Sequence, residues 1–288
     1  MILSRGKVIR FQSFNACQEL PVRVYWATTQ DFKYSLDCHP EVELQLIQKG
    51  VGEYRINGAR YSFRRNTLLI VRPKQVHKCL PKPHCRIEKV CLVFSWKLVE
   101  HGWPLSFVDS LPRLLQLSEA AATRVIMRLR NISDEIDKKD AYWGSAISGE
   151  LVNLIILLHR NRRQQVQPSV CHPVVQEVIQ FLDEHFKGPL SILELAKRFG
   201  LSPSRLAHVF KRDMKCGIKR YALERQMAEA KMLLEREQCP QARLVAELVG
   251  FHDYRLFHRH FKRVIGCTPS EHRRFQTRTS RSSVGVGD

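Results

Sequence analysis

The stretch Ala196–Arg212 recurs as Ala246–Arg263, and this internal repeat constrains the fold more than any other feature of the chain. Ala196 matches Ala246, Gly200 matches Gly250, Leu206 matches Leu256 and His208 matches His258. One inserted residue then brings Phe210-Lys-Arg onto Phe261-Lys-Arg. Self-similarity on this scale marks a duplicated structural unit. Each copy reads as helix, tight turn, helix. The alanine is small enough to let two helices cross closely, and the glycine supplies the positive φ that ends the first helix. Ser202, with Pro203 at the first helical position, caps the second helix of copy one, and Asp253 caps that of copy two.

Helical spacing puts Leu206 and Phe210 on the buried face of one copy and Leu256, Phe257 and Phe261 on that of the other. The opposite faces collect Arg205, His208, Lys211 and Arg212, and Arg255, His258, Arg259 and Lys262. Ser204 and Tyr254, near the starts of the two second helices, complete the expected contact set. This is the layout of a helix-turn-helix, whose second helix enters the major groove of DNA. Arginine there donates two parallel hydrogen bonds to guanine, and lysine neutralises phosphate. The formal charge of +19 agrees with a polyanionic partner. It does not choose a half, because residues 168–288 carry 21 basic and 13 acidic residues, a net of +8, leaving +11 for residues 1–167.

The segment from Val174 to Arg274 resembles the DNA-binding domain of the AraC/XylS family of bacterial transcription regulators. The second copy carries the specific part: Val249-Gly-Phe-His-Asp-Tyr-Arg-Leu-Phe-His-Arg-His-Phe-Lys-Arg, then Gly266-Cys-Thr-Pro-Ser-Glu-His-Arg273. The family's two modules are joined by a long helix, matched by Tyr221–Leu234. Four positions depart from the family pattern. Leu256 and His272 stand where tyrosine is usual, Lys215 where glycine is usual, and Gln226 where arginine is common. The resemblance implies that both second helices contact successive major-groove segments on one face of the duplex, about one turn or ~34 Å apart.

The N-terminal half has a different texture. From Val22 to Trp96 it reads as short strands with turns, including Asn57-Gly58, a strong hairpin signal. A loop there pairs Tyr54 with Tyr61 on an apolar face and Arg55 with Arg60 on the other, expected to be solvated or anion-facing. Glu119–Ile136 and Ala146–His159 then show apolar residues at helical spacing. The strand-rich part resembles the cupin-like sensor common in the family, through His39-Pro-Glu-Val-Glu43 and Pro73-Lys-Gln-Val-His77. Asp37 occupies the first histidine position of that pattern, and Asn66 and Lys74 replace two of its glycines. His39, Glu41, Glu43, Tyr54 and His77 are the expected ligand pocket, suited to a hydroxylated, sugar-like effector. No metal or other cofactor is expected, with His39, Glu43 and His77 the one set that would serve an ion.

The expected fold is α+β with two domains: an N-terminal cupin-like β-barrel with flanking helices and a C-terminal all-α double helix-turn-helix. Residues 1–117 form the sensing domain, 118–160 a helical pair that either only finishes that domain's core or also offers a dimer interface, 161–173 a linker, 174–276 the tandem helix-turn-helix and 277–288 a disordered tail. Partners are double-stranded promoter or operator DNA, a small-molecule effector, a second copy of the chain and RNA polymerase. No membrane is among them, because the apolar run at Leu151–Leu158 is far short of the ~20 residues a spanning helix needs. The N-terminal stretch mixes Arg5, Lys7 and Arg10 into its apolar residues, so a cytoplasmic protein with reduced thiols is expected. Catalytic templates are absent: there is no nucleophile elbow, phosphate loop or dinucleotide fingerprint. The competing class is a metal-dependent cupin enzyme, or a metal or thiol sensor, fused to a DNA-binding domain. Cys38, Cys79 and Cys85 lie near its motifs.

Overall fold

The computed structural model describes residues 20–29, 37–57, 59–168, 172–188, 190–235 and 240–273. The expected tail at 277–288 and Gly58 of the hairpin loop lie outside the described residues. The first half holds β1 (Val22–Thr29), β2 (Val42–Lys49), β3 (Gly52–Ile56), β4 (Ala59–Phe63), β5 (Thr67–Val71), β6 (His77–Pro81), β7 (Ile87–Phe94) and β8 (Leu114–Gln116). A short helix α1 (Ser106–Ser110) precedes β8, and α2 (Glu119–Lys138) and α3 (Trp143–Arg160) follow it. Antiparallel pairing gives a five-stranded sheet in the order β1-β7-β2-β5-β8 and a three-stranded sheet β4-β3-β6.

Period-two alternation explains where each strand residue goes. On β2, Val42, Leu44 and Leu46 pack toward α2 and α3, while Ile47 joins the second cluster with Tyr54 and Phe63 of the smaller sheet. Strand β5 is apolar from Leu68 to Val71 because both its faces are buried. Leu68 and Ile70 meet the helices; Leu69 and Val71 meet the smaller sheet. The helices contribute Val125, Leu129, Ile132, Leu151 and Leu154 to the same core. The expected hairpin register is observed: Tyr54 opposes Tyr61 and Arg55 opposes Arg60.

Asn66 and Lys74, which replace glycines of the cupin pattern, both sit at φ 61°, so these turns keep the left-handed backbone without glycine. The segment after α3 is more than a tether. Val166 N donates to Leu114 O at 2.9 Å, and Gln165 forms a bridge with Leu115, so its start is tied to β8.

The second half is helical: α4 (Pro173–Glu184), α5 (Ile192–Arg198), α6 (Pro203–Met214), α7 (Ile218–Leu234), α8 (Ala242–Leu248) and α9 (Tyr254–Ile265). Two separate cores form around one shared helix. Leu195, Ala196, Leu206, Phe210 and Tyr221 pack with α4, whereas Met227, Ala246, Phe257 and Phe261 pack at the far end of α7. At ~1.5 Å per residue α7 is ~25 Å long, and it sets the spacing of the two modules.

Candidate functional site

The second helices of the repeat, α6 and α9, are built as expected. Ser202 Oγ accepts from Arg205 N, Pro203 opens α6, and Asp253 Oδ1 accepts from the backbone N of Arg255 and Leu256. Gly200 and Gly250 both have positive φ, 65° and 91°. Ser204, Arg205, His208, Lys211 and Arg212 of α6 are exposed, as are Arg255, Arg259 and Lys262 of α9; Tyr254 and His258 are half-buried. Arg212 is additionally held by Asp213, whose other oxygen accepts from His172 N at 2.8 Å.

Leu256 departs from expectation. It is 37% exposed rather than buried, because Phe257 and Phe261 already fill the core side of α9. The remaining departures each find a role. Lys215 adopts φ 52° at the end of α6, a left-handed backbone that costs an L-residue about 1–2 kcal/mol. Gln226 Nε2 donates to Val249 O at 3.0 Å, tying α7 to the end of α8.

His272 packs on Phe261 and lies 3.0 Å from Glu235 Oε1. Burial opposes its protonation, but Cys267 Sγ and the Glu235 carboxylate outweigh it and lift His272 to about 9. A histidine raised from ~6.5 stabilises the fold fully below pH ~6.5 and loses that contribution as pH rises through about 9. Wild type should therefore lose roughly 1–3 kcal/mol more stability than His272→Gln between pH 6.5 and 9.5. Parallel urea titrations at both pH values check this; equal losses would contradict it.

In the first half, His39, Glu43 and His77 converge. Glu43 Oε2 lies 3.3 Å from His39 Nε2 and 3.2 Å from His77 Nε2, while Tyr25 OH donates to Glu43 Oε1 at 3.1 Å. Burial pushes Glu43 up, but hydrogen bonds from His39 and His77 outweigh it and hold the carboxyl well below its usual range. Glu41 stands 3.5 Å from His39 Nδ1. Tyr54 takes a different place: its hydroxyl donates to Gln45 Oε1, which also accepts from Lys89 Nζ at 2.7 Å. Gln45 shares the face of Glu43 by period two, as the sequence shows, but buried Lys89, next to Glu88 on β7, and Tyr25 on β1 give no signal in their own segments. A recess of about 290 Å³ lies elsewhere, lined by Tyr61, Arg72, Asp109, Arg113 and Gln165; none of the five expected ligand residues lines it.

Of the two expectations for the Arg55–Arg60 face, solvated or anion-facing, the structure departs from the first and gives the second. Glu53 neutralises both arginines, and Arg55 is buried, donating to the Met214 carbonyl at the end of α6. Two ion pairs continue this junction onto α7: Lys78 with Glu224 at 2.9 Å, and Lys231 with both oxygens of Asp37 at 2.9 and 3.1 Å. Between them Cys38 and Val76 pack on Ala228. Burial raises the Cys38 thiol to about 12, so it is no reactive thiolate.

A family model described as a helix-turn-helix domain matches residues 195–274, and one described as an AraC-like ligand binding domain matches residues 19–142. The arabinose operon regulatory protein of Escherichia coli (strain K12) is 32% identical over 126 residues, 42% of this chain and 43% of that protein. The match thus spans less than half of that relative's length. The uncharacterized HTH-type transcriptional regulator YdeC of Bacillus subtilis (strain 168) is 23% identical over 276 residues, 90% of this chain and 94% of that protein. Among solved structures, ToxT from Vibrio cholerae superposes with a TM-score of 0.42 and 9% identity over 88% of this chain and 98% of its own. Among the described residues, no helix is long and apolar enough to cross a membrane.

Proposed function

This chain belongs to the AraC family of transcription regulators, and from that premise we propose how it reads DNA and what controls it. The protein binds duplex DNA through α6 and α9, placed in successive major-groove segments. Arg205 and Arg255 read base edges; Lys211 and Lys262 hold phosphates; Ser204, His208, Arg212, Tyr254, His258 and Arg259 complete the interface. The observation that carries this reading is the exposure of Arg205, Lys211, Arg255, Arg259 and Lys262 on two capped helices joined by one shared helix. Control comes from the N-terminal half, where a sugar-like effector engages His39, Glu41, Glu43, Tyr54 and His77. That class is supported by their polar chemistry and by a relative that regulates an arabinose operon. Effector binding is felt at the DNA because the barrel is tied to α7 by buried ion pairs. A cytoplasmic homodimer acting with RNA polymerase completes the proposal, and no catalytic step belongs to it.

The test is a comparison of specific with random duplexes, using the full chain. Arg255→Ala or Arg205→Ala should cost about 1–3 kcal/mol on the specific site and relax preference at one base pair. Lys262→Ala should weaken both duplexes alike and reduce the salt slope by about 1. Equal losses on both duplexes for the arginine variants would overturn their base-reading role.

A further inference from the structure

The recess beside β8 gathers positive charge that its protein neighbours do not neutralise. It encloses about 290 Å³ between β4, the end of β5, the loop before β8 and residues 165–168. That is small beside the ~300–1,000 Å³ of drug-sized sites and ample for a compact metabolite. Two guanidiniums and one carboxylate line it, those of Arg72, Arg113 and Asp109. Asp109 Oδ1 stands 3.4 Å from Arg72 Nε, but the Asp109 side chain is 66% exposed, so water screens this pair and it is worth little.

The fold places both arginines. Arg72, just after β5, donates from Nε to the Val108 carbonyl at 3.1 Å and from Nη2 to those of Asp109 and Leu111 at 2.7 and 2.8 Å. These bonds fix its guanidinium against the end of α1. The Arg113 backbone is held to β5, its carbonyl accepting from Ile70 N at 2.8 Å. Its side chain is less well satisfied, because Nη1 is buried without a hydrogen-bond partner. Burial, and then the charge of Arg72, lower Arg113 from its ordinary value; Tyr61, buried on β4, and Asp109 act the other way without cancelling them. Like charges held together on a concave polar surface suit an oxyanion, which arginine forks bind through paired hydrogen bonds.

We propose that this recess binds the anionic group, phosphate or carboxylate, of a small metabolite, with Arg113 and Arg72 holding its oxygens and Tyr61 and Gln165 as further donors. The remaining wall gives occupancy a consequence. Gln165 forms a bridge with Leu115 and Val166 N donates to Leu114 O, so the segment leaving α3 is held against β8 where it lines the recess. The first helix of the DNA-binding half, α4, starts soon after, at Pro173. An anion between Arg113 and Gln165 therefore clamps the start of the connection between the two halves. The site shares no residue with His39, Glu41, Glu43, Tyr54 and His77, and its test does not depend on the sugar-like effector.

The full chain in chloride buffer is titrated at constant ionic strength with sodium phosphate and, in parallel, with sodium malonate. The heat of binding and the midpoint of thermal unfolding are followed. Saturable binding of one anion per chain, with a raised midpoint, is expected for at least one probe, and the tighter probe identifies the group. Arg113→Gln should weaken that affinity about 10–100-fold, the worth of a charge-assisted hydrogen bond. Arg113→Lys should recover only part of it, because an ammonium lacks the fork, and it decides the matter if Arg113→Gln does not fold by circular dichroism. Arg65→Gln, at an exposed arginine paired with Glu119 on the same half, should leave the affinity unchanged. A saturating duplex of mixed sequence should not displace the anion. Displacement by the duplex would put the anion on α6 and α9 instead. That result, a folded Arg113 variant with unchanged affinity, or a midpoint that rises without saturable binding would each overturn the proposal.

Discussion

Lys231→Met is expected to destabilise the chain by about 3–5 kcal/mol, because it strips a buried carboxylate of its counter-ion. The Asp37 and Lys231 side chains are only 11% and 12% exposed, and Nζ reaches both carboxylate oxygens. Burial works against charge on each. The partner outweighs it, holding Asp37 below and Lys231 above their ordinary values. An exposed pair of the same length would be worth under ~1 kcal/mol. Urea denaturation of the full chain measures the difference. Asp37→Leu combined with Lys231→Met should recover most of the loss, since an apolar pair leaves no buried charge behind. A single-variant loss below about 1 kcal/mol would mean that water reaches the pair and that it does not hold the two halves together.

Gly250→Ala should be the other severe change, costing about 3–5 kcal/mol, whereas Gly200→Ala should cost only about 1–2 kcal/mol. The two glycines are equivalent in the repeat and both have positive φ, yet their surroundings differ. A Cβ on Gly250 would stand 2.0 Å from the Lys187 carbonyl oxygen and 2.7 Å from its carbon, backbone atoms that cannot swing away. A Cβ on Gly200 would meet nothing within 4 Å. Gly250 thus brings the second module's turn against the chain leaving α4, and only the conformational penalty applies in the first module. Thermal or urea unfolding of the two variants checks the asymmetry; equal losses would contradict it.

Much of this architecture could be read from the residues because it is local. Caps, turn glycines and helical faces depend on spacing within about a dozen residues, and Ser202, Asp253, Gly200 and Gly250 all behave as read. Period two likewise separated Glu43 and Gln45 from Val42 and Leu44 on β2. Periodicity tells which face is covered, not what covers it. Arg55 therefore read as solvated or anion-facing, with no hint that it reaches Met214, 159 positions away, and Asp37 gave no hint of Lys231, 194 positions away. Leu256 failed for a related reason: an apolar residue at a family's aromatic position was taken for core, but neighbouring Phe257 and Phe261 leave it no room. Lys89 was invisible because a lysine next to Glu88 at the start of a strand carries no sign of the Gln45 and Tyr54 that receive it.

The most direct test of the account is selection of bound duplexes from a random or genomic library by the full chain, repeated with Arg205→Ala and with Arg255→Ala. The expected outcome is enrichment of sites with two short boxes about 10–10.5 base pairs apart, each variant losing preference in one box only. No enrichment over input DNA, or enrichment that both variants leave unchanged, would contradict the claim that the repeated basic helices read the groove.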